Sequence, residues 1–572
     1  MKTLEAFVCG AVIAGMSMSA LATVLHVPSE YRTIQAGINT ATTGDTVLVT
    51  DGTYTGDGNR DVDFVGKAIV VMSENGPENT IINCEGSISE PHRGFYVHTG
   101  EDSLSVVQGF TIRNGVATGS QPESGGGAIQ CYWSAPMIVG NILESNMAQN
   151  FGGAILCFGE DPIIRNNIIR TNVAGGGGGI FSRQGSPKIR GNMILNNTAN
   201  WDGGGIQIHH GTPHITDNVI AYNTGIQQGG GIYLYSSNAI IVRNKIVGNQ
   251  TTFYDGGGIY CTAFWPTIMD NQILGNISAR HGGAIHTHSS YPTIIGNAIT
   301  GNEAAMQGGG MRLTWSSPMM VYNTVTGNTA VDGAGIFCWE SNPTIAATTI
   351  ACNICYGDGG AIYCYCYSSP TIINSICWGD TVYVGSEIYV AEGSAVTVTY
   401  SDVQGGWPGQ GNIDVDPMFA KPDWKDYRLL WGSPCIDPGH PDSLDPDSTR
   451  KDMGAHFFNQ SKTLVTYMTP ETDSLCPGDS LHVLYTLINC HDEPQPCGGI
   501  VEVTLPNGEP WSGNPLEGPG YGIMHPHYNC QYVREYEVPE MCPLGTWGFT
   551  WKVGMPGELF DRDSFRFRVV EP

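Results

Sequence analysis

Apolar and polar positions between residues 126 and 400 repeat in blocks, not in a helical rhythm. Gly-Gly-(Gly/Ala)-Ile recurs with little variation. Its apolar residue falls at Ile129, Ile155, Ile180, Ile206, Ile232, Ile259, Ile285, Met311, Ile336 and Ile362. Successive copies lie 25 to 27 residues apart, and a degenerate copy follows at Ile388. Proline keeps the same phase from Pro136 to Pro370, with Ala239 filling one gap. Asparagine keeps it twice, once from Asn141 to Asn323 and once from Asn146 to Asn353. Each block holds short β-branched runs between Gly and Asn turns and has no room for a helix. A unit of this size and composition predicts one coil of a parallel β-solenoid. Coils stack at ~4.8 Å, so like residues sit above like residues. The Asn columns then become amide ladders that serve turn backbone, a structural and not a catalytic role.

The flanks read differently. Tyr31-Arg-Thr-Ile-Gln-Ala-Gly-Ile-Asn-Thr, then Gly44-Asp-Thr-Val-Leu-Val, is similar to the helix-plus-strand cap that opens such solenoids. After Ala455 the period is lost and alternating runs appear, such as Leu481–Leu487 and Thr546–Val553. The predicted organisation is a signal peptide over 1–22, an N-terminal cap and first coils over 23–125, and regular coils over 126–400. A closing segment over 401–460 and an immunoglobulin-like β-sandwich over 461–572 complete it. The chain is therefore expected to be all-β.

The Gly-Gly-Ala-Ile copies, the cap and the segments Asp416-Pro-Met-Phe and Asp452-Met-Gly-Ala carry a family resemblance. Together they resemble the right-handed parallel β-helix proteins of the pectin-lyase-like superfamily. The pairing of the Gly-Gly-Ala-Ile and x-x-Asn motifs is also similar to the repeats of polymorphic outer-membrane proteins. The resemblance implies fold and export. It does not imply an activity, because this fold hosts lyases, hydrolases, epimerases and adhesins.

Charge narrows the partners. The chain has 53 acidic and 26 basic side chains, a net charge of −27, which argues against a nucleic-acid backbone or an anionic membrane. Lys2, the apolar run Phe7–Met18 and Ala20-Leu21-Ala22 read as an export signal, too short for a membrane span. Cysteines beyond Cys9 then face an oxidising compartment, where disulfides are permitted. The stacked pairs Cys131/Cys157 and Cys338/Cys364 leave a bridge open, although parallel side chains suit its geometry poorly.

The strand after each Gly corner reads Ile-x-y-z. Alternation turns Ile and y inward, x and z outward. The x column includes Tyr233, Tyr260, His286, Arg312 and Tyr363; the z column includes Tyr132, Phe158, Arg183, His209, Tyr235, His288, Trp339 and Tyr365, with Trp315 one position later. Rings in such a stripe stack on sugar faces, so a polysaccharide or cell-surface glycan is the expected partner. Two alternatives stay open: a polysaccharide lyase or related glycan-processing enzyme using the same face, and a structural surface or adhesion protein. For catalysis the candidates are His286, His288 and Arg312, an imidazole base beside a carboxylate clamp, all expected to face solvent. No cofactor is demanded, but Asp332 and Asp358 occupy one column in neighbouring coils and could share Ca²⁺.

Overall fold

A computed structural model describes residues 22–120, 122–391 and 393–571; the expected export signal lies outside them but for Ala22. The solenoid is a right-handed parallel β-helix of about 15 turns. Each regular coil has four short strands, as in Ile129–Tyr132, Met137–Val139, Ile142–Glu144 and Met147–Ala148. These stack into four parallel sheets, faces 1 to 4, of 12, 15, 14 and 11 strands. Register follows the sequence period without slippage: Ile129 pairs with Ile155 and His286 with Arg312. A shift by one residue would turn the Ile column out to water, and that cost fixes the register.

Inside the coils one apolar cluster runs from Leu25 to Val403, and its Ile columns are fully buried. The helix Ile34–Thr40 closes the N-terminal end. Thr33 caps it by accepting from the Ala36 N–H, and Ile34 and Ile38 are buried. The Gly corner is tight: a Cβ on Gly153 would lie 2.2 Å from the Gly178 carbonyl oxygen, although one coil admits Ala334 at the same position.

Both Asn columns form the expected ladders. The Asn141 N–H and Nδ2 both donate to Asn167 Oδ1, at 2.9 and 3.1 Å, and Nδ2 also donates to the Val107 carbonyl at 3.0 Å. Residues just before the Asn, such as Asn166, Asp217 and Arg243, take positive φ to turn the corner. Such strain costs of order 1 kcal/mol or more, and the ladder bonds offset it. The second ladder ends on Asp380, which accepts from both the N–H and Nδ2 of Asn353. A third ladder, not apparent from the period, runs through hydroxyls: Ser290, Ser316, Ser341 and Ser368 each donate N–H to the next Ser Oγ at 3.0–3.2 Å.

The C-terminal region does not continue the stack. After Cys435 the chain turns back along the corner of faces 2 and 3. Arg450 lies over Tyr400, the Gly454 N–H donates to the Asn374 carbonyl, the Ala455 N–H to Thr349 Oγ1, and Lys451 lies over Tyr322. Sheets of three and five strands follow, antiparallel except where Ser474–Leu475 pairs parallel with Glu558–Val569, and fit the expected immunoglobulin-like sandwich. The sandwich lies beside face 3, where Lys245 Nζ meets Asp473 Oδ2 at 2.9 Å across a cleft of ≈ 1020 Å³. All described cysteines carry free thiols, including the stacked pairs Cys131/Cys157 and Cys338/Cys364.

Candidate functional site on the first face

The two outward columns of face 1 have different fates. The z column is half-exposed as expected: Tyr132, Phe158, Arg183, His209, His288 and Trp339 are partly covered, and Tyr235 and Tyr365 are open. Trp133, at 50 % exposure, and Trp315, at 47 %, extend the stripe toward the corner. Neighbouring rings touch: Tyr132 stacks on Phe158 at 5.2 Å, while His288 meets Trp315 at 5.0 Å and Trp339 meets Tyr365 at 5.2 Å edge to face.

The x column corrects the sequence expectation. Tyr233, Tyr260, His286 and Arg312 do not face solvent; His286 is 4 % and Arg312 5 % exposed, and only Tyr363 is half-open. They do point outward, since none joins the core cluster within the coil. What buries them is the preceding corner. The residue four before each corner Ile bulges over the x side chain of the next coil, as Phe151 stacks on Phe181 at 4.2 Å. Strand alternation predicts direction but cannot see this cover.

In several coils rings fill the resulting furrow, with Tyr233 stacked on Tyr260 at 5.5 Å and 9°. Around His286 it turns polar. Asp255, on the corner, places Oδ2 3.5 Å from His286 Nδ1. The other nitrogen, Nε2, lies 3.2 Å from Thr314 Oγ1. Arg312 Nε donates to the same hydroxyl at 3.1 Å, and its Nη1 donates to Gln307 Oε1. The guanidinium also sits 5.2 Å from the ring centres of Phe337 and Trp339. His281 approaches from the corner, its ring 6.4 Å from that of His286.

Electrostatics follow from burial. Desolvation, then the Arg312 charge, hold His286 well below its ordinary value, so its ring is neutral. His281 is lowered to about 3 by the same causes in the same order. Asp255 is pushed up to about 6 by burial, against the pull of Arg312 and Arg280. Desolvation lowers Arg312 to about 10. No carboxylate lies within ion-pair distance of Arg312 among the described residues. Buried oxygen Oδ1 of Asp255 and Nδ1 of both histidines lack hydrogen-bond partners.

Residues 38–276 match the model of a family described as "NosD: Periplasmic copper-binding protein (NosD)". The chain is similar to NosD there. That match covers less than half of the chain and stops short of His286, Arg312 and Thr314. No curated protein and no solved structure matches the chain.

Of the expected site residues, His286 and Arg312 are thus brought together, while His288, in register with Thr314, stays in the half-open z column with its ring against Trp315. Asp332 and Asp358 are neighbours in one column, as their phase requires. Asp332 Oδ1 accepts from the Asp358 N–H at 3.5 Å, and no group of three or more His, Cys, Asp or Glu converges among the described residues. Thr314 and Gln307 were not singled out from the sequence. Their signal was present, because 314 is the z position beside His288 and 307 the corner position before Met311.

Proposed function

We propose that this is an exported β-helix protein that binds a carbohydrate chain along the z column of face 1. The observation that carries the reading is the half-open ring stripe, from Tyr132 and Trp133 to Trp339 and Tyr365. Nine coil steps at ~4.8 Å make this a track of ~43 Å. Rings held edge to edge by neighbouring coils are preorganised, so little entropy is lost when a sugar stacks on them. Buried x-column rings contribute support beneath, not contact. Export is supported by Lys2, the apolar run and the Ala-Leu-Ala site, and by the periplasmic description of the matching family. No helix among the described residues is long and apolar enough to cross a membrane.

The lyase alternative loses its base at His286, which at 4 % exposure lies beneath the track and out of reach of a ring proton on a chain bound there. His288, half-exposed, is the open imidazole that remains for it. Copper, named in the family description, finds no matching donor set. No three His, Cys, Asp or Glu side chains converge among the described residues, and Cys131, Cys157, Cys261, Cys338 and Cys364 are sealed inside the coil. The described residues do not fit a copper centre.

Affinity electrophoresis and calorimetry against a panel of neutral and acidic polysaccharides test the reading. Binding weakened at least tenfold by Tyr235→Ala or Trp339→Ala supports it. No binding to any member, or binding indifferent to both substitutions, overturns it in favour of a structural surface role.

A further inference from the structure

The polar stretch of the furrow is not needed by the fold. In several other coils the same positions hold stacked rings, as with Phe151 and Phe181 or Phe337 and Tyr363 at 4.8 Å, and where they are polar, as at Gln130 and Gln207, the buried group is an uncharged amide. Here the sequence instead buries an arginine without an ion pair, two histidines with unpartnered nitrogens and an unpartnered carboxylate oxygen. Removing such groups from water costs several kcal/mol per uncompensated charge. A fold that had aromatic filling available would gain nothing from that cost.

The connectivity of these groups is specific. Asp255 Oδ2 faces His286 Nδ1 at 3.5 Å, and His286 Nε2 faces Thr314 Oγ1 at 3.2 Å. Arg312 Nε donates to Thr314 Oγ1, so the hydroxyl proton is free to point at His286 Nε2. That assignment leaves the proton of the neutral imidazole on Nδ1, which lies 3.5 Å from Asp255 Oδ2 without yet forming a hydrogen bond. Carboxylate, imidazole and hydroxyl are then in the order that activates an alcohol as a nucleophile. Separations above 3 Å are common in such sites before substrate tightens them.

From this juxtaposition of Asp255, His286 and Thr314 we infer that the furrow is a second, hydrolytic site that removes a small O-acyl group, such as acetyl, from carbohydrate. The choice of a carbohydrate ester rests on the proposed glycan track; the nucleophile itself does not. Thr314 Oγ attacks the ester carbonyl carbon while His286 Nε2 takes the hydroxyl proton. An Oγ–C bond forms, and the carbonyl π pair moves to oxygen, where the Arg312 guanidinium offers a positive charge. The intermediate collapses, the C–O bond to the sugar breaks, and the sugar oxygen takes the proton from His286. Water, deprotonated by His286, then attacks the acyl carbon; the C–Oγ bond breaks, the carboxylic acid leaves, and Thr314 Oγ takes its proton back from His286. The balance is ester plus water giving carboxylic acid plus alcohol, with no redox partner. Asp255 is the positioning residue that holds the imidazole tautomer. Thr314 is 8 % exposed and lies beside Trp339, so only a short acyl group reaches it.

The test uses the full chain with two small probes, a fluorophosphonate and p-nitrophenyl acetate, neither of which needs the glycan track. The expected result is a single adduct mapped by peptide mass to Thr314, and hydrolysis lowered about a thousand-fold or more in Thr314→Val. Thr314→Ser should retain both. Asp255→Asn should lower the rate while circular dichroism stays unchanged. Absence of any adduct and of hydrolysis by folded wild type, or hydrolysis unchanged in Thr314→Val, overturns the inference. Probe labelling without polysaccharide binding would retain the nucleophile and refute the glycan track alone.

Discussion

Asn223→Asp probes the amide ladder most sharply. Asn223 is fully buried and sits mid-ladder. Its Oδ1 accepts the Asn197 N–H and Nδ2 at 2.9 and 3.0 Å, while its own Nδ2 donates to the Ile194 carbonyl and Asn249 Oδ1 at 2.8 and 2.9 Å. Replacement by Ala leaves the Asn197 N–H without its partner and strips a donor from two acceptors. An orphaned buried group costs ~1–3 kcal/mol and each lost bond ~1 kcal/mol, so a loss of about 4 kcal/mol is expected. Aspartate keeps the acceptor but presents a second oxygen to two oxygens, which repel it. At neutral pH it should therefore be less stable than the Ala variant. Asp380 shows that aspartate is tolerated at the ladder's end, where its Oδ1 only has to accept from Asn353. Protonation turns the offending oxygen into a donor. The carboxyl introduced by Asn223→Asp, facing acceptors, would have a folded-state pKa above the unfolded ~3.9. Its stability is then fully present below that value and lost as pH rises through the folded one. Denaturant midpoints followed by far-UV circular dichroism at pH 4.5 and 7.5 measure this. Because each coil contacts only its neighbours, a falling m-value would also report a break in cooperativity. Equal stability of the two variants at pH 7.5, or no recovery of the Asp form at pH 4.5, would refute the reasoning.

Three further outcomes follow from the same contacts. Burial, then the adjoining Asp380 carboxyl, pushes Glu387 up to about 10, so stability is present below the ordinary carboxylate range and declines toward alkaline pH; Glu387→Gln should gain about 2 kcal/mol at pH 8 and flatten that decline in a pH series of melting curves. His286→Ala should not be thermally silent, because it empties a buried site and leaves Thr314 Oγ1 with one partner fewer; a loss of ~2 kcal/mol is expected in chemical denaturation, and an unchanged midpoint would place the side chain in solvent. Addition of EDTA or of millimolar Ca²⁺ should leave the melting temperature unmoved, whereas a rise with Ca²⁺ would reveal a cage at Asp332 and Asp358 that the described side chains do not form.

The repeat by itself determined the parallel solenoid, its register and both Asn ladders. Those features are periodic, and a stacked structure translates sequence phase directly into spatial adjacency: once 285 and 311 are corner positions, His286 and Arg312 must be neighbours. It also determined the outward direction of the x and z columns, through strand alternation. The tertiary structure decided everything that depends on one element covering another. Burial of His286 and Arg312 comes from the outward bulge before each Gly corner, a displacement that no count of positions reveals. The convergence of Asp255, His286 and Thr314 joins a corner to two strands of three successive coils, so it required both the register and the bulge. The docking of the closing segment and of the sandwich is likewise decided by aperiodic contacts, Lys451 on Tyr322 and Gly454 on Asn374 for the first and Lys245 with Asp473 for the second. Phase fixes which residues stack; only packing fixes which of them water can reach.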